Sequence, residues 1–420
     1  MSEWKKYKLS EIYTMSSGIS SSKSQAGQGS PFLSFSTVFN NYFIPENLKD
    51  LMLTTKKEQE RFSIIEGDVF LTRTSETLDE LALSSVALNN YPFATFSGFL
   101  KRLRPINKIK VYPKFIAFYL RSSYFRKTII NHTTMTLRAS FNESMFSYLE
   151  VYLPDYDEQV RIGGFLYKLN QKIALNNQIN NELEAMAKTL YDYWFVQFDF
   201  PDENGKPYKS SGGKMVYNDQ LKREIPEGWG VEKVSEIAKT GSGGTPKSTT
   251  DEYYSNGTIP WINSGELNKS IIISTTNYIT EFGLENSSAK LFPADSILIA
   301  MYGATAGKVS FLAFESSTNQ AICAVTLDDN RLKYYFKFFI EDLYSHLVTL
   351  SSGSARDNLS QDMIKNLLMI NPNDRVIETF FVLVDSYFLQ ITNNLKQNQE
   401  LTQLRDWLLP MLMNGQVRVE

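Results

Sequence analysis

The chain has few of the residues on which most catalytic and metal sites depend. Its 420 residues include one cysteine, Cys323, and two histidines, His132 and His346. A single cysteine excludes an intrachain disulfide and a cysteine cluster for zinc. The histidines lie far apart in sequence, so we expect neither a histidine-based metal site nor a catalytic triad, and each histidine is predicted to cap or pack. We therefore predict no metal site and no catalytic residues.

Long apolar segments are also missing. No apolar run approaches the roughly 20 residues that span a bilayer, and the first residues, MSEWKKYKLSEIYTM, lack the apolar core of a signal peptide. The chain is 42% hydrophobic and 21% charged, as globular proteins are, and its length predicts two or three domains. Together with the single cysteine, these properties predict a cytoplasmic protein.

A general excess of basic residues is absent as well. The net charge is −3, with 19 Lys and Arg against 14 Asp and Glu in residues 1–155, and 13 against 18 in residues 216–372. A protein that binds DNA alone usually carries a basic footprint. If this chain binds DNA, local patches or a partner must neutralise much of the phosphate charge.

Two motifs of nucleotide chemistry are incomplete or missing. The stretch MYGATAGKVS (301–310) places three residues between Gly303 and Gly307, and Val309 after Lys308. A phosphate loop needs four residues between its glycines and a hydroxyl after the lysine, so ATP binding is not predicted. No Pro-Pro dipeptide occurs, which removes the Asn/Asp-Pro-Pro-aromatic loop that holds a flipped base in DNA amino-methyltransferases.

The chain does contain a repeat with a period of roughly 220 residues. Trp4 lies six residues before a Ser-Glu-Ile tripeptide, and so does Trp229. We call the two copies the first head (residues 1–155) and the second head (residues 229–372). The other matched segments are 31–33 and 260–262, 66–72 and 293–299 (aligning Asp68 with Asp295), 111–120 and 331–340 (predicted helices), 136–142 and 352–359, and 149–154 and 367–372.

After each head, apolar residues recur at the four-three spacing of a coiled-coil seam. Two long helices are predicted, over 156–198 and 373–420, each of some 40 residues or roughly 60 Å. Two ordinary amphipathic core helices remain the alternative. Asparagines interrupt the seam, and such buried polar pairs fix helix register; they are Asn176, Asn180, Asn394 and Asn398. The seam residues are Ile162, Leu166, Leu169, Ile173, Leu183, Ala187, Leu190, Trp194, Val376, Phe380, Leu383, Tyr387, Ile391, Leu401, Leu404 and Leu408.

Residues 199–228 join the first long helix to the second head. Their Gly, Pro, Ser and Asn content predicts a linker or an irregular surface turn. The predicted order is therefore head, long helix, linker, head, long helix, with paired helices holding two similar heads apart.

Polar loops separate the short strands predicted in the second head. Glycine lets a backbone approach closely, and Ser, Thr, Asn, Gln, Lys and Arg are the side chains that meet phosphates and base edges. Asn319 and Gln320 suit adenine, Arg356 suits guanine and Lys308 suits a phosphate. The loops are 241–250, 263–267, 301–309, 318–321 and 351–358.

These segments resemble a target-recognition domain of the specificity subunits of type I restriction-modification enzymes. The two-copy layout, with a helix after each copy, resembles the same family over essentially the whole chain. The resemblance is carried by GGTP (243–246), IPWI (259–262), SGEL (264–267), the loop 303–309, NQA (319–321) and the linker GKPYKSSGGKMVYNDQLKREIPEGW (205–229).

The resemblance implies an α+β fold with two similar α/β target-recognition domains separated by two long antiparallel coiled-coil helices. It implies a DNA-recognition subunit without chemistry or cofactor of its own, in which each domain recognises one half of a split double-stranded target. The helices would set the gap and dock two modification subunits, which bind S-adenosylmethionine and methylate adenine. Restriction subunits would join that core, and ATP and magnesium are expected on the partners.

The first head departs from the family pattern. It has SSGISSSKSQAG (16–27) in place of GGTP and LTRTSETLDE (71–80) in place of the 301–309 loop. Arg73 is then the expected substitute for Lys308, and Arg138 for Arg356. The DNA-binding residues predicted for the two heads are Lys23, Arg73, Thr74, Arg138, Asn142, Thr245, Lys247, Ser264, Tyr302, Lys308, Asn319, Gln320, Arg356 and Asn358.

Two other functions remain open at the level of sequence. One is a two-headed protein-binding scaffold without DNA specificity, which exposed apolar patches on the heads would favour. The other is an enzyme with an unrecognised active site, which turnover by the isolated chain would support.

Overall fold

The chain divides into two compact units. Unit 1 comprises residues 1–174 and 398–420, and unit 2 comprises residues 175–397. Each unit holds one head, and the division falls inside both segments predicted to be long helices. The computed structural model describes residues 4–20, 22–75, 77, 80–106, 108–131, 139–302, 305–350 and 359–419.

The first head is built on two small sheets. Its strands are β1 (Lys5–Lys8), β2 (Tyr13–Ser17), β3 (Ala26–Leu33), β4 (Asp50–Met52), β5 (Val69–Thr72), β6 (Thr74–Ser75), β7 (Ser84–Val86), β8 (Thr95–Phe96), β9 (Leu100–Pro105), β10 (Ala139–Ser140) and β11 (Glu150–Leu153). A four-stranded antiparallel sheet has the order β2–β9–β5–β7. A three-stranded sheet has the order β4–β3–β8, in which β3 and β8 run parallel. Two short ladders, β1–β11 and β6–β10, complete the pairing.

Two helices of unit 1 begin at residues that favour a helix start. Thr55 and Glu58 form a capping box, because the Thr55 Oγ1 accepts the Glu58 N–H and the Glu58 carboxylate accepts the Thr55 N–H. Pro113 is the first residue of a helix that lies within the predicted segment 111–120. The helices that begin in unit 1 are α1 (Leu9–Ile12), α2 (Phe35–Asn40), α3 (Lys56–Arg61), α4 (Pro113–Tyr119), α5 (Ser123–Asn131), α6 (Glu143–Tyr148) and α7 (Tyr156–Tyr191).

The second head repeats this plan. The strands of unit 2 are β12 (Met215–Asn218), β13 (Arg223–Pro226), β14 (Gly230–Lys233), β15 (Ala238–Ser242), β16 (Ile259–Ile262), β17 (Ile271–Ile272), β18 (Tyr278–Ile279), β19 (Leu291–Phe292), β20 (Ile297–Ala300), β21 (Val309–Leu312), β22 (Ser316–Thr318), β23 (Ile322–Leu327) and β24 (Leu368–Asn371), of which β12 and β13 precede the second head. The sheets have the orders β15–β23–β20–β21–β17 and β18–β16–β22–β19, with ladders β14–β24 and β12–β13. The helices that begin in unit 2 are α8 (Val234–Ile237), α9 (Glu281–Glu285), α10 (Lys333–Leu350), α11 (Gln361–Lys365) and α12 (Asp374–Met413).

Strand register confirms the repeat and corrects one alignment. Val69 pairs with Leu103 in the first head as Ile297 pairs with Val325 in the second. The residue before each is therefore equivalent, so Asp68 corresponds to Ser296 and not, as the sequence alignment had it, to Asp295. The apolar pattern of these strands is continuous rather than alternating, so it does not fix the alignment to the residue.

The two equivalent residues have different partners. Asp68 is fully buried, and its carboxylate accepts hydrogen bonds from Arg104 Nε and Nη2 at 2.8 and 2.6 Å. Ser296 is also buried, and its hydroxyl lies 3.3 Å from that of Thr326. The same position in the sheet thus holds an ion pair in one head and two neutral hydroxyls in the other.

The predicted long helices are present. α7 has 36 residues and is followed by a π-helical turn at Asp192–Val196, and α12 has 40 residues. In unit 2 the helix segments run antiparallel, since Asn176 bonds Gln397 at 2.8 Å and Asn180 bonds Asn394 at 2.8 Å. The predicted burial of all four seam asparagines is confirmed.

The predicted seam is wrong at two positions of α12. Leu383 and Leu404 are 40% and 41% exposed, whereas Val384 and Phe388 are buried. Apolar residues stand next to each other along α12, so more than one four-three pattern fits its sequence. Packing against the head buries the stripe that contains Val384 and Phe388.

Residues 199–228, which the sequence marks as a linker, belong to the apolar core of unit 2. Phe200 stacks on Tyr208 and on Trp229, with ring centroids 4.6 and 4.8 Å apart. The strands β12 and β13 form a hairpin between Tyr208 and Trp229 in the chain. The polar residues of the segment form its turns, while Phe200 is buried and Tyr217 is 57% exposed.

Candidate nucleic-acid interface

In the second head, four loops that carry predicted DNA-binding residues follow the ends of strands β15, β16, β20 and β22. The strands β15 and β20 run in the same direction, since both are antiparallel to β23, and β16 and β22 are parallel neighbours. Strands that run in one direction end at one edge of a sheet, so each sheet presents two of these loops together. The sequence did not show this grouping, because the loops are up to 80 residues apart in the chain.

Hydrogen bonds tie the loops of the two sheets to each other. The Gly244 N–H donates to the Thr318 carbonyl at 2.8 Å, and the Trp261 indole N–H donates to the Gly244 carbonyl at 3.0 Å. The Thr245 hydroxyl donates to the Gln320 side-chain carbonyl. These contacts bring the GGTP, IPWI and NQA motifs into one cluster.

Glycine at position 243 is required by the closeness of the strand beside it. A Cβ placed there would lie 2.0 Å from the Thr318 carbonyl oxygen, which is far inside van der Waals contact. Glycine therefore allows the loop backbone to lie against β22.

The loop after β20 turns back on its own strand. The Gly307 N–H donates to the Ala300 carbonyl at 2.8 Å, and the Lys308 N–H donates to the Thr305 carbonyl at 2.9 Å. Gly307 has φ +77°, in the left-handed region that favours glycine. The Gly307 and Lys308 amides thus donate within the turn, whereas a phosphate loop would direct such donors toward a nucleotide. The Lys308 side chain is exposed.

The predicted residues of this surface differ in accessibility. Asn319 is half-buried, and both ends of its amide are bonded, to the Ala321 N–H at 3.1 Å and to Asn263 at 3.3 Å. Ser264 is also half-buried. Thr245, Lys247, Tyr302, Lys308 and Gln320 are exposed.

The first head contains the same turn without its sequence signature. The Ile19 N–H donates to the Phe96 carbonyl at 2.9 Å, as Gly244 does to Thr318. A Cβ on Gly18 would lie 2.2 Å from the Ser97 carbonyl oxygen, so Gly18 is the equivalent of Gly243. The available signal was spacing, because each glycine stands six residues after the Ser-Glu-Ile isoleucine.

Arg73 does not take the position of Lys308, contrary to the sequence prediction. The Arg73 N–H donates to the Phe99 carbonyl at 2.9 Å, as the Met301 N–H donates to the Ala321 carbonyl at 2.8 Å. Arg73 therefore occupies the place of Met301, and Thr74 that of Tyr302. This loop is longer in the first head than in the second. An alignment of the two sequences that ignores strand register therefore places Arg73 at the wrong position.

The position of Lys308 is held by Leu83 in the first head. The Thr72 N–H donates to the Leu83 carbonyl at 3.0 Å, as the Ala300 N–H donates to the Lys308 carbonyl at 3.0 Å. Ala82, with φ +55°, stands where Gly307 stands. The exposed cation of the second head is thus replaced by a half-buried leucine.

The remaining predicted residues of the two heads have mixed outcomes. Asn142 caps α6, because its side-chain oxygen accepts the Met145 N–H at 2.9 Å. This structural role explains why an asparagine stands there without any contact to DNA. The side chain of Lys23 and the residues Arg138, Arg356 and Asn358 lie outside the described part of the structure.

Sequence reasoning missed a first-head loop and a lysine beneath it. Ser97, Gly98 and Phe99 occupy the places of Asn319, Gln320 and Ala321, since Phe32 pairs with Thr95 as Trp261 pairs with Ser317. The buried Lys101 donates to the Ser17 hydroxyl at 2.9 Å. Burial lowers the pKa of Lys101, an effect opposed by Glu143 and reinforced by the Arg73 charge.

The chain belongs to the family described as the type I restriction modification DNA specificity domain. The profile of that family matches residues 1–185 and, a second time, residues 226–403. This match confirms the resemblance inferred from sequence and the prediction of two similar domains.

Individual relatives agree with the family match. The type I restriction enzyme MjaIX specificity subunit of Methanocaldococcus jannaschii is 27% identical over 338 residues, covering 80% of this chain and 75% of the relative. The HindI specificity subunit of Haemophilus influenzae is 27% identical and covers 99% of this chain and 100% of the relative. The prediction of a non-catalytic DNA specificity subunit is confirmed, and the scaffold alternative is not favoured.

A solved structure supports the fold. The type I restriction-modification S subunit from M. genitalium matches with a TM-score of 0.55 at 14% identity, covering 97% of this chain and 96% of that chain. The predicted α+β class with two domains and long helices is confirmed. In the described part of this chain, no helix has the length and apolarity to cross a membrane.

Proposed function

We propose that the two heads recognise the two halves of a bipartite double-stranded DNA target. The observation that carries this proposal is that both heads build the same loop frame, on Gly18 and on Gly243, and furnish it with different side chains. A shared frame with different side chains is what two half-sites of different sequence require, since base contacts specify and backbone contacts position.

The side chains on the frame are assigned by their chemistry and exposure. The exposed side chains of Lys247 and Lys308 contact phosphates. The exposed Arg73 contacts a phosphate or a guanine edge. Gln320 and Thr245 act as a bonded pair at a base edge, since Gln320 retains its amide donors after accepting the Thr245 hydroxyl. Asn319 supports the loop more than it contacts DNA, because its amide is already bonded.

The long helices set the distance between half-sites and dock partners. The buried asparagine bonds fix the register of α7 against α12. Large apolar side chains are also exposed along both helices, which marks a protein interaction surface. In unit 2 these are Leu175 (50% exposed), Met186 (51%), Val382 (58%) and Leu389 (60%).

The partners proposed for this surface are two modification subunits, which bind S-adenosylmethionine and methylate adenine, with restriction subunits joining the assembly. ATP and magnesium belong to those partners, and this chain has no cofactor of its own. Since the substrate is genomic and incoming DNA, the compartment is the cytoplasm.

A domain exchange tests the proposal. The chain is co-expressed with its modification partner, residues 216–372 are replaced by the corresponding head of a relative, and methylated sites are mapped across the genome. We expect one half of the methylated sequence to change and the other half to stay. A target that changes in both halves, or in neither, contradicts the assignment of one half-site to each head.

The isolated chain provides a second test. It should transfer no methyl group from labelled S-adenosylmethionine and should bind DNA weakly, because its net charge is −3 and phosphate neutralisation dominates affinity. Methyl transfer by the chain alone would refute the division of labour.

A further inference from the structure

Phe99 is an exposed aromatic residue in the recognition loop of the first head. It lies between β8 and β9 and is 66% exposed. It occupies the place that Ala321 has in the second head, since its carbonyl accepts the Arg73 N–H as the Ala321 carbonyl accepts the Met301 N–H. The two heads therefore differ by a phenyl ring at one equivalent position.

The backbone that carries Phe99 is held on both sides. The Gly98 N–H donates to the Ile19 carbonyl at 2.7 Å, and the Phe99 N–H donates to the Ser97 hydroxyl at 3.2 Å. Leu100, the next residue, is fully buried and donates to the Ser97 carbonyl at 3.0 Å. The ring thus extends from a fixed loop and has not been folded into the adjacent core.

Single exposed apolar residues are common on protein surfaces, so the position of Phe99 is what gives it meaning. It follows the turn on Gly18, and the Arg73 guanidinium lies beside it, with Nη1 3.5 Å from the Gly98 carbonyl. The loop therefore offers a cation next to an apolar ring. In the second head the same loop offers the Gln320 amide.

The chemistry of these two loops corresponds to different base edges. An amide suits the donor and acceptor of adenine, whereas the C5-methyl group of thymine is the apolar group that base pairs present in the major groove, and phenylalanine is among the side chains that contact it. We infer that Phe99 recognises a thymine methyl group in the first half of the target. This inference rests on the proposed DNA-recognition function.

The test uses the full chain in complex with its modification partner and a duplex carrying the mapped target. Each thymine of the first half-site is replaced in turn by deoxyuridine, which lacks only the methyl group, and affinity is measured for the wild-type complex and for Phe99→Ala. We expect one substitution to weaken wild-type binding about fourfold, the value of one buried methyl group. Phe99→Ala should bind both duplexes equally.

Phe93 supplies a matched control. It is 71% exposed in the same head and lies in the turn before β8, where the Ala94 N–H donates to the Tyr91 carbonyl at 3.2 Å. Phe93→Ala should keep the wild-type difference between thymine and deoxyuridine. Phe99→Leu, which preserves an apolar contact, should keep most of it and covers the case in which the alanine variant folds poorly.

The outcomes separate this inference from the function on which it rests. A wild-type complex that does not prefer the mapped target over a scrambled duplex overturns the proposed function itself. If that preference holds, three results overturn the role of Phe99: a first half-site without thymine, a deoxyuridine effect that persists in Phe99→Ala, or an equal loss by that variant on target and scrambled DNA.

Discussion

The first head holds an ion pair on a buried carboxylate where the second head holds a pair of hydroxyl groups. Asp68 and Arg104 occupy the positions of Ser296 and Thr326 in sheets of the same register. The hydrogen-bonded backbone frame, including the glycine turns, is common to both heads, whereas the side chains inside and around it are not. Backbone pairing therefore fixes where the loops lie, and side chains vary within it.

The same contrast extends to the loops. The second head has Lys308 and Gln320 where the first has Leu83 and Gly98, and the first has Arg73 where the second has Met301. In the first head the exposed cation of this loop, Arg73, directly follows strand β5. In the second head it is Lys308, which directly precedes strand β21. A shared frame thus offers different groups to a ligand at each position.

The largest expected effect separates the two buried pairs. Asp68→Ala leaves the Arg104 guanidinium without its carboxylate partner and should lower the free energy of unfolding of the first head by about 3 kcal/mol, the low end for a buried pair because the Arg104 side chain is 27% exposed. Ser296→Ala should cost about 1 kcal/mol. Urea denaturation of each variant measures both values, and equal losses would show that the two positions are not energetically distinct.

The glycine turns test whether each loop frame serves its own half-site. A Cβ at Gly243 meets a carbonyl oxygen at 2.0 Å, so Gly243→Ala should displace the loop, cost about 1–3 kcal/mol and abolish recognition of the second half-site alone. Gly18→Ala should do the same to the first. Gly164→Ala is the control, since a Cβ there meets nothing within 4 Å and the residue lies in α7, away from the recognition loops. Methylation mapping in which Gly243→Ala alters both half-sites would contradict the comparison.

A longer helix tests whether the heads act independently of their spacing. Four residues inserted before Asp374 add roughly 6 Å, close to two base pairs at 3.4 Å each. Four residues also rotate the head by about 40° beyond a full turn, while two base pairs rotate the groove by about 70°, so some affinity should be lost. The methylated target should keep its half-sites with a longer or unchanged gap. New bases within either half-site would show that the helix does more than set distance.

The smallest expected effect concerns the exchanged cation. Lys308→Ala should lower the affinity for all duplexes alike and reduce the salt dependence of that affinity by about one phosphate contact. Leu83→Lys should raise the affinity and its salt dependence by similar amounts. Lys206→Ala, an exposed lysine in residues 199–228, is the control. Affinity measured across a salt series decides the matter, and a change confined to one base pair would make Lys308 a base contact.

The sequence by itself determined the repeat, the two long helices and the chemistry of the second-head loops. These are local properties: apolar spacing predicts helices, and glycines with polar neighbours predict loops. The four seam asparagines were also identifiable, because a polar residue in an apolar stripe is visible within a few turns of the chain. Their partners across the helix pair were not, since those contacts join residues more than 200 positions apart.

Only the tertiary structure decided which residues of the two heads correspond. Leu83 matches Lys308, although the two residues have dissimilar neighbours in sequence, and the match of Gly18 to Gly243, which their equal spacing from Ser-Glu-Ile allowed, was established by the hydrogen bonds around them. Strand register is set by backbone hydrogen bonds between segments distant in the chain, and those bonds involve no side chain. When a strand is apolar throughout, its sequence can be aligned one residue out of place without any mismatch. In the sheet, a one-residue shift in strand register moves every side chain to the opposite face.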